Sequence, residues 1–125
     1  MDILSYLLAA LTPVNLLLAV GGVVAGTIIG ALPGLTATMA IAVLTPMTFG
    51  LPPASALVAL GAIYTGAIYG GAYAAILINT PGTPSAIATT FDGFPMAKRG
   101  DGDLALTLAN FASVFGGLVG ALFLF

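Results

Sequence analysis

Hydroxyl and amide side chains gather at two places in this sequence, each beside a Pro-Gly pair. The first is Gly30-Ala31-Leu32-Pro33-Gly34-Leu35-Thr36-Ala37-Thr38. The second opens with Tyr69-Gly70-Gly71-Ala72-Tyr73 and, after a helical stretch, continues Asn79-Thr80-Pro81-Gly82-Thr83-Pro84-Ser85. A helix interrupted in this way at membrane depth leaves N–H and C=O groups that only protein or a water-filled cavity can satisfy. Broken helices of this kind build substrate and ion sites in secondary transporters. Thr83 before Pro84 reads as an N-cap followed by proline at the first helical position. The helix starting there turns its positive end toward residues 79–83 and can hold a carboxylate without a buried Arg or Lys. Pro33, Gly34, Thr36, Thr38, Asn79, Thr80, Gly82, Thr83 and Ser85 are therefore the candidate ligand contacts. The alternative is that both breaks are surface turns, which Pro-Gly pairs commonly mark. The clustering of hydroxyls and the scarcity of charges and aromatic anchors at the breaks favour a site.

Carboxylates offer less. Asp92, in Phe91-Asp92-Gly93, is the one nearest the second break. It can neutralise a coupling Na⁺ or H⁺, or cap local amides in an Asp-Gly turn, and the turn is the commoner use. Gly100-Asp101-Gly102-Asp103 fits the short Gly-x-Gly-Asp pattern of intramembrane aspartyl proteases. That chemistry needs two aspartates facing each other within the bilayer, whereas these lie beside Lys98-Arg99 in a polar stretch. The chain has no Cys and no His, which removes disulfides, iron–sulfur clusters, thiol catalysis and the usual neutral-pH base.

The elements that must position these residues are set by composition. Of 125 residues only 5% are charged and 60% are apolar. A soluble domain carries about a quarter of its residues as charges. Such a chain cannot cover a water-soluble surface, bind nucleic acid or remain disordered. It belongs in lipid, as an all-α polytopic helix bundle with Pro/Gly-broken or re-entrant helices. No basic region precedes the first apolar run, so no cleaved signal peptide is expected. Helices are expected at about 2–11 (near the interface), 13–32, 35–49, 54–78, 84–91 and 104–125, all within one stretch of membrane domain over 1–125. Pro13 sits at a first helical position with Thr12 as its N-cap. The run 35–49 is short for a full span, so re-entry competes with a tilted crossing. Residues 91–103 read as a hydrophilic connection. They hold both cations, Lys98 and Arg99, and the positive-inside rule places them in the cytoplasm. The last run carries no polar or basic anchor at its end, which predicts a piece of a longer protein.

Gly22, Gly26, Gly30 and Gly34 recur every four residues, as do Ala62, Gly66, Gly70 and Ala74, and Gly116 with Gly120. Small residues in this register let helix backbones approach closely in lipid. Gly22, Gly26, Gly30, Gly66 and Gly70 are accordingly expected at helix–helix contacts.

These motifs together resemble a known family. Gly26-Thr27-x-x-Gly30-x-Leu32-Pro33-Gly34-Leu35 and Leu44-Thr45-Pro46-Met47-Thr48-Phe49-Gly50-Leu51-Pro52-Pro53 are similar to the start of the large membrane subunit of tripartite tricarboxylate transporters, the TctA family. Tyr69-Gly70-Gly71, Ala75-Ile76-Leu77-Ile78-Asn79-Thr80-Pro81-Gly82 and Asp92-Gly93-Phe94-Pro95-Met96-Ala97 continue the likeness in order. The resemblance implies a multi-pass permease of the bacterial inner membrane and not an enzyme. It implies a small membrane subunit (TctB-like) and a periplasmic solute-binding protein (TctC-like) as partners. Carboxylates such as citrate would be imported on an ion gradient, with Na⁺ or H⁺ as coupling ion and no other cofactor. It also implies a full subunit about four times as long, so that this chain matches the N-terminal quarter. The family usually has Ser after the paired glycines, where this sequence has Ala72-Tyr73, and its stretch near 100–103 is usually basic. The rival reading is a structural or assembly membrane protein without its own substrate site.

Overall fold

The computed structural model describes residues 2–124, and among them six α-helices and no strand. Helix α1 covers Ile3–Ala10, α2 Pro13–Gly30, α3 Ala37–Leu44, α4 Pro53–Ile78, α5 Ile87–Lys98 and α6 Gly102–Leu124. A 3-10 turn, Thr45–Thr48, extends α3, and another, Pro84–Ala86, leads into α5. Three helices, α2, α4 and α6, are long and apolar enough to cross a membrane. Two of their hydroxyls are satisfied locally: Thr65 Oγ1 donates to the Gly61 carbonyl at 2.9 Å and Thr107 Oγ1 to that of Asp103 at 2.7 Å. Back-bonding of this kind lets a hydroxyl reside in hydrocarbon.

The centre of the bundle is a seam between α2 and α4 built on the glycine register. A methyl group added at Gly26 would land on the Ile63 carbonyl oxygen, and one at Gly30 on that of Ala67. Reciprocally, Gly66 faces the Val23 carbonyl and Gly70 that of Thr27. Each helix thus turns carbonyl oxygens toward the other's glycine Cα atoms, a close approach that gains dispersion and weak Cα–H···O contacts. The partners' numbers rise together along both chains, so α2 and α4 run parallel.

Parallel packing settles the topology of the segment between them. The chain leaves α2 at Gly30 and must return almost the length of that helix, about 27 Å for 18 residues, before α4 can begin. Helix α3, its 3-10 turn and residues 49–52 make that return. Ala37 and Ala40 pack on Ile63 and Ala67, while Leu44, Met47, Thr48 and Leu51 border a cavity with Leu17, Gly22 and Ala59. The segment expected at 35–49 is therefore a descending crossing built from a short helix, a 3-10 turn and a loop, rather than one continuous helix.

Several boundaries differ from expectation. Helix α2 stops at Gly30 rather than 32, because Ala31 and Leu32 close it by donating to Thr27 and Ile29 carbonyls ahead of Pro33. Gly34 thus lies beyond the helix in a turn with φ +91°, exposed and off the glycine face. Gly116 and Gly120 meet nothing within 4 Å, so their face of α6 is open among the described residues. Residues 91–98, read as hydrophilic connection, are helical, which places Asp92 inside α5 and not in an Asp-Gly turn. Pro95 is tolerated within that helix. The helix ends where Gly100 (φ +93°) lets its own N–H reach the Ala97 carbonyl at 3.1 Å and that of Asp101 reach Met96 at 2.9 Å.

Candidate functional site

The second break dips back into the bundle. Helix α4 ends at Asn79, a left-handed residue (φ 55°) whose N–H, like that of Thr80 at 3.2 Å, donates to the Ala74 carbonyl. The chain then reverses. A methyl group on Gly82 would lie 2.6 Å from the Gly30 carbonyl oxygen and 3.2 Å from Gly71 Cα. One on Gly71 would lie 3.1 Å from Thr83 Oγ1. Gly82 and Thr83 have therefore returned seven residues, about 10 Å, below the end of α4. From there Ser85 and Ala86 share a cavity of about 160 Å³ with Ile68, Tyr69 and Ala72. Helix α5 then climbs again, seating Gly93 on Ile76, where a methyl group would meet Ile76 Cγ1 at 2.7 Å. Residues 79–98 form a re-entrant hairpin. With the 26 residues of α4 centred in a hydrocarbon core of about 30 Å, its tip lies about 6 Å inside the hydrocarbon.

The two breaks meet through backbone. Gly82 of the second lies on the Gly30 carbonyl at the C-terminal, electronegative end of α2, the helix that opens the first. Their side chains do not share a pocket. Helix α3 touches α2 and α4 but not α5. Ile68 stands between, packing on the Ala37/Ala40 cluster and lining the cavity of Ser85 and Ala86. Within the first break Pro33, Gly34 and Thr38 are exposed. Thr36 caps α3, its hydroxyl accepting from the Met39 N–H at 3.3 Å. Within the second, Asn79, Thr80 and Ser85 are exposed while Gly82 and Thr83 are buried. Thr80 Oγ1 donates to the Ile78 carbonyl at 3.2 Å.

Two expected caps are absent. Thr83 occupies the N-cap position of the 3-10 turn, but its hydroxyl lies 3.0 Å from Ser85 Oγ and caps nothing; its carbonyl accepts from the Ala86 N–H. The opening turn is 3-10 because the Ala86 N–H reaches back three residues. Thr12 likewise precedes α2 without a side-chain cap.

Asp92 faces an open groove of about 500 Å³ between α4, α5 and α6, lined by Ala72, Ile76, Gly93, Ala105 and Ala109 with Thr89 and Ser113 as its hydroxyls. Among the described residues it makes no ion pair. Lys98 lies over the Phe94 ring, 4.9 Å from its centroid. Asp101 precedes α6 and Asp103 sits in its first turn, both exposed and two residues apart, so they form no facing pair. No cluster of His, Cys, Asp or Glu suited to a metal occurs among the described residues.

Thr89, Asn110 and Ser113 were not singled out by the breaks. Asn110 and Ser113 line a further groove of about 400 Å³ with Thr65, Gly66 and Tyr69. Their signal was available: Thr107, Asn110 and Ser113 recur every three residues within an apolar run. Ala72, where the family departure was noted, lines both the 500 Å³ groove and the 160 Å³ cavity. Tyr69 and Tyr73 meet edge to face at 5.1 Å.

Long apolar helices, a parallel glycine seam and a re-entrant hairpin with a break at its tip define a membrane-embedded helix bundle. Comparison with known proteins gives the family. A model of the tripartite tricarboxylate transporter TctA family matches residues 16–125, and the chain belongs to that family. It is 47% identical over 115 residues to an uncharacterized 52.8 kDa protein in the TAR-I ttuC′ 3′ region of Agrobacterium vitis. The aligned segment covers 92% of this chain and 23% of that relative, so the chain spans about a quarter of the relative's length. No solved structure matches it.

Proposed function

We propose that this chain is the N-terminal part of the permease subunit of an ion-gradient-driven importer of tricarboxylates or related organic anions. Its setting is the bacterial inner membrane, as a multi-pass protein working with a TctB-like small membrane subunit and a TctC-like periplasmic binding protein. The observation that carries the reading is the re-entrant hairpin, which brings a Pro/Gly break against the end of α2 inside the bundle. The apolar helices contain no cation, so an anion there has to be held by backbone N–H groups and by hydroxyls such as Thr36, Thr83 and Ser85. Asn79 and Thr80 edge the same break, and Pro33, Gly34 and Thr38 edge the other. Asp92, in its groove beside Thr89, is the candidate for coupling Na⁺ or H⁺.

Uptake of labelled citrate and other di- and tricarboxylates, in cells producing the permease with a binding protein, tests this. Asn79→Ala and Thr83→Ala are expected to lower uptake. Unchanged uptake with unchanged ion dependence would remove the site and favour a structural or assembly role for the breaks.

A further inference from the structure

The geometry points to residues 79–100 acting as a hinged gate over the place where the two breaks meet, an inference that rests on the transport reading. Asn79, with φ 55°, is the only non-glycine residue at positive φ among the described residues; Gly34 and Gly100 are the glycines there. Two of these three left-handed positions bracket the hairpin, one at each end. Hinges are commonly a few element-terminal residues that absorb a backbone rotation, and these two occupy the ends of α4 and α5.

The hairpin is seated through small residues. Of its residues only Gly82, Thr83, Ala86 and Gly93 are buried, and none is larger than threonine. Large apolar side chains on it, Ile87 and Phe91, are exposed. Its seats are Gly82 on Gly30 and Gly71, Thr83 on Gly71, and Gly93 on Ile76. Lifting it uncovers Ile76 of α4, the one large side chain buried beneath Gly93. It also has room to move. The 500 Å³ groove and the 160 Å³ cavity lie between it, α4 and α6, and Thr89 and Ser113 line both. Seated, the gate covers the Gly30 carbonyl and Gly71; raised, it uncovers both.

These 125 residues hold no cysteine, so an introduced thiol is unique within them. Thr89→Cys with Ser113→Cys, joined by a short bifunctional methanethiosulfonate, ties the gate to α6. Linking is expected to cut carboxylate uptake at least about tenfold, with recovery on reduction. A separate readout needs no substrate: alkylation of the buried Ala86→Cys by N-ethylmaleimide. It is expected to slow when the link is closed. It should quicken roughly two- to fivefold when Asn79→Gly frees the hinge. Undiminished uptake by the linked protein, or alkylation indifferent to both the link and Asn79→Gly, would overturn the gate. If the unlinked parent takes up no carboxylate, the transport reading fails instead, and the alkylation rates still decide whether the hairpin moves.

Discussion

Gly21 and Gly26 lie on the same helix, five residues apart, and alanine should act on them in opposite directions. At Gly21 an added Cβ meets nothing within 4 Å. Alanine there removes glycine's excess backbone entropy and should stabilise α2 by about 0.5–1 kcal/mol. At Gly26 the same atom lands on the Ile63 carbonyl oxygen, with the Ile63 carbonyl carbon and the Ala67 nitrogen at 2.9 Å. Carbon contacts relax near about 3.5 Å, so the helices must part by at least ~0.6 Å. Every obstructing atom is backbone, so no rotamer change can relieve the clash. A radial gap of that size forfeits a quarter to a half of each dispersion well along the seam, and overpacking of this kind costs about 1–3 kcal/mol. The two variants should therefore differ by roughly 1.5–4 kcal/mol, the sum of these opposed effects. Unfolding of the full chain in mixed micelles, titrated with SDS and followed by circular dichroism, reads that difference directly. Equal shifts of the same sign would refute the seam and, with it, the parallel packing of α2 and α4 from which the topology follows.

Other consequences are independent of that seam. Gly82→Ala, with its Cβ 2.6 Å from the Gly30 carbonyl oxygen, should unseat the hairpin and lower uptake while leaving membrane insertion intact, whereas Gly120→Ala, in open space, should alter neither. Gly34→Ala, at φ +91°, should destabilise the turn by about 1–2 kcal/mol, seen as an earlier unfolding midpoint. Asp92→Asn should abolish the dependence of uptake on the ion gradient while leaving carboxylate binding in place; retained dependence would remove Asp92 from coupling. Ala72→Ser adds a hydroxyl to the cavities of Thr89 and Ser113, and competition assays should show an altered preference among di- and tricarboxylates.

Periodicity and punctuation carried much of this architecture. The three long apolar runs became α2, α4 and α6, and the four-residue glycine spacing marked the α2–α4 contact because small residues are what such contacts require. What the spacing could not convey was direction: Gly22, Gly26 and Gly30 would serve a parallel or an antiparallel neighbour equally well. Residues 91–98 were misread because Asp92, Gly93, Pro95, Lys98 and Arg99 lower local hydropathy and helix propensity, while burial of Gly93 against Ile76 overrides both. The hydroxyls were legible as clusters but not as partners. Nothing in Thr83-Pro84-Ser85 shows that the two hydroxyls bond each other instead of capping a helix.

Parallel packing of α2 and α4 has a consequence for any anion the breaks hold. Because α2 ends there while α4 runs on to Ile78, it is the C-terminal carbonyls of α2, its electronegative end, that lie where Gly82 meets Gly30. That point repels an anion unless something of opposite polarity is brought beside it. Helix α3 and the 3-10 turn before α5 both begin near that level and bring N-termini toward it from opposite flanks of α4, with Ile68 between them. Each flank presents half of a positive environment, and neither has a cation to complete it. An anion that reaches both must pass Ile68, beside which Ser85 and Ala86 of the hairpin are seated. In the seated arrangement the two sets of hydroxyls stay apart, so binding has to be linked to movement of the hairpin. Substrate should then alter the alkylation rate of Ala86→Cys. A rate unaffected by saturating citrate, in a chain that transports citrate, would mean that the anion is held elsewhere.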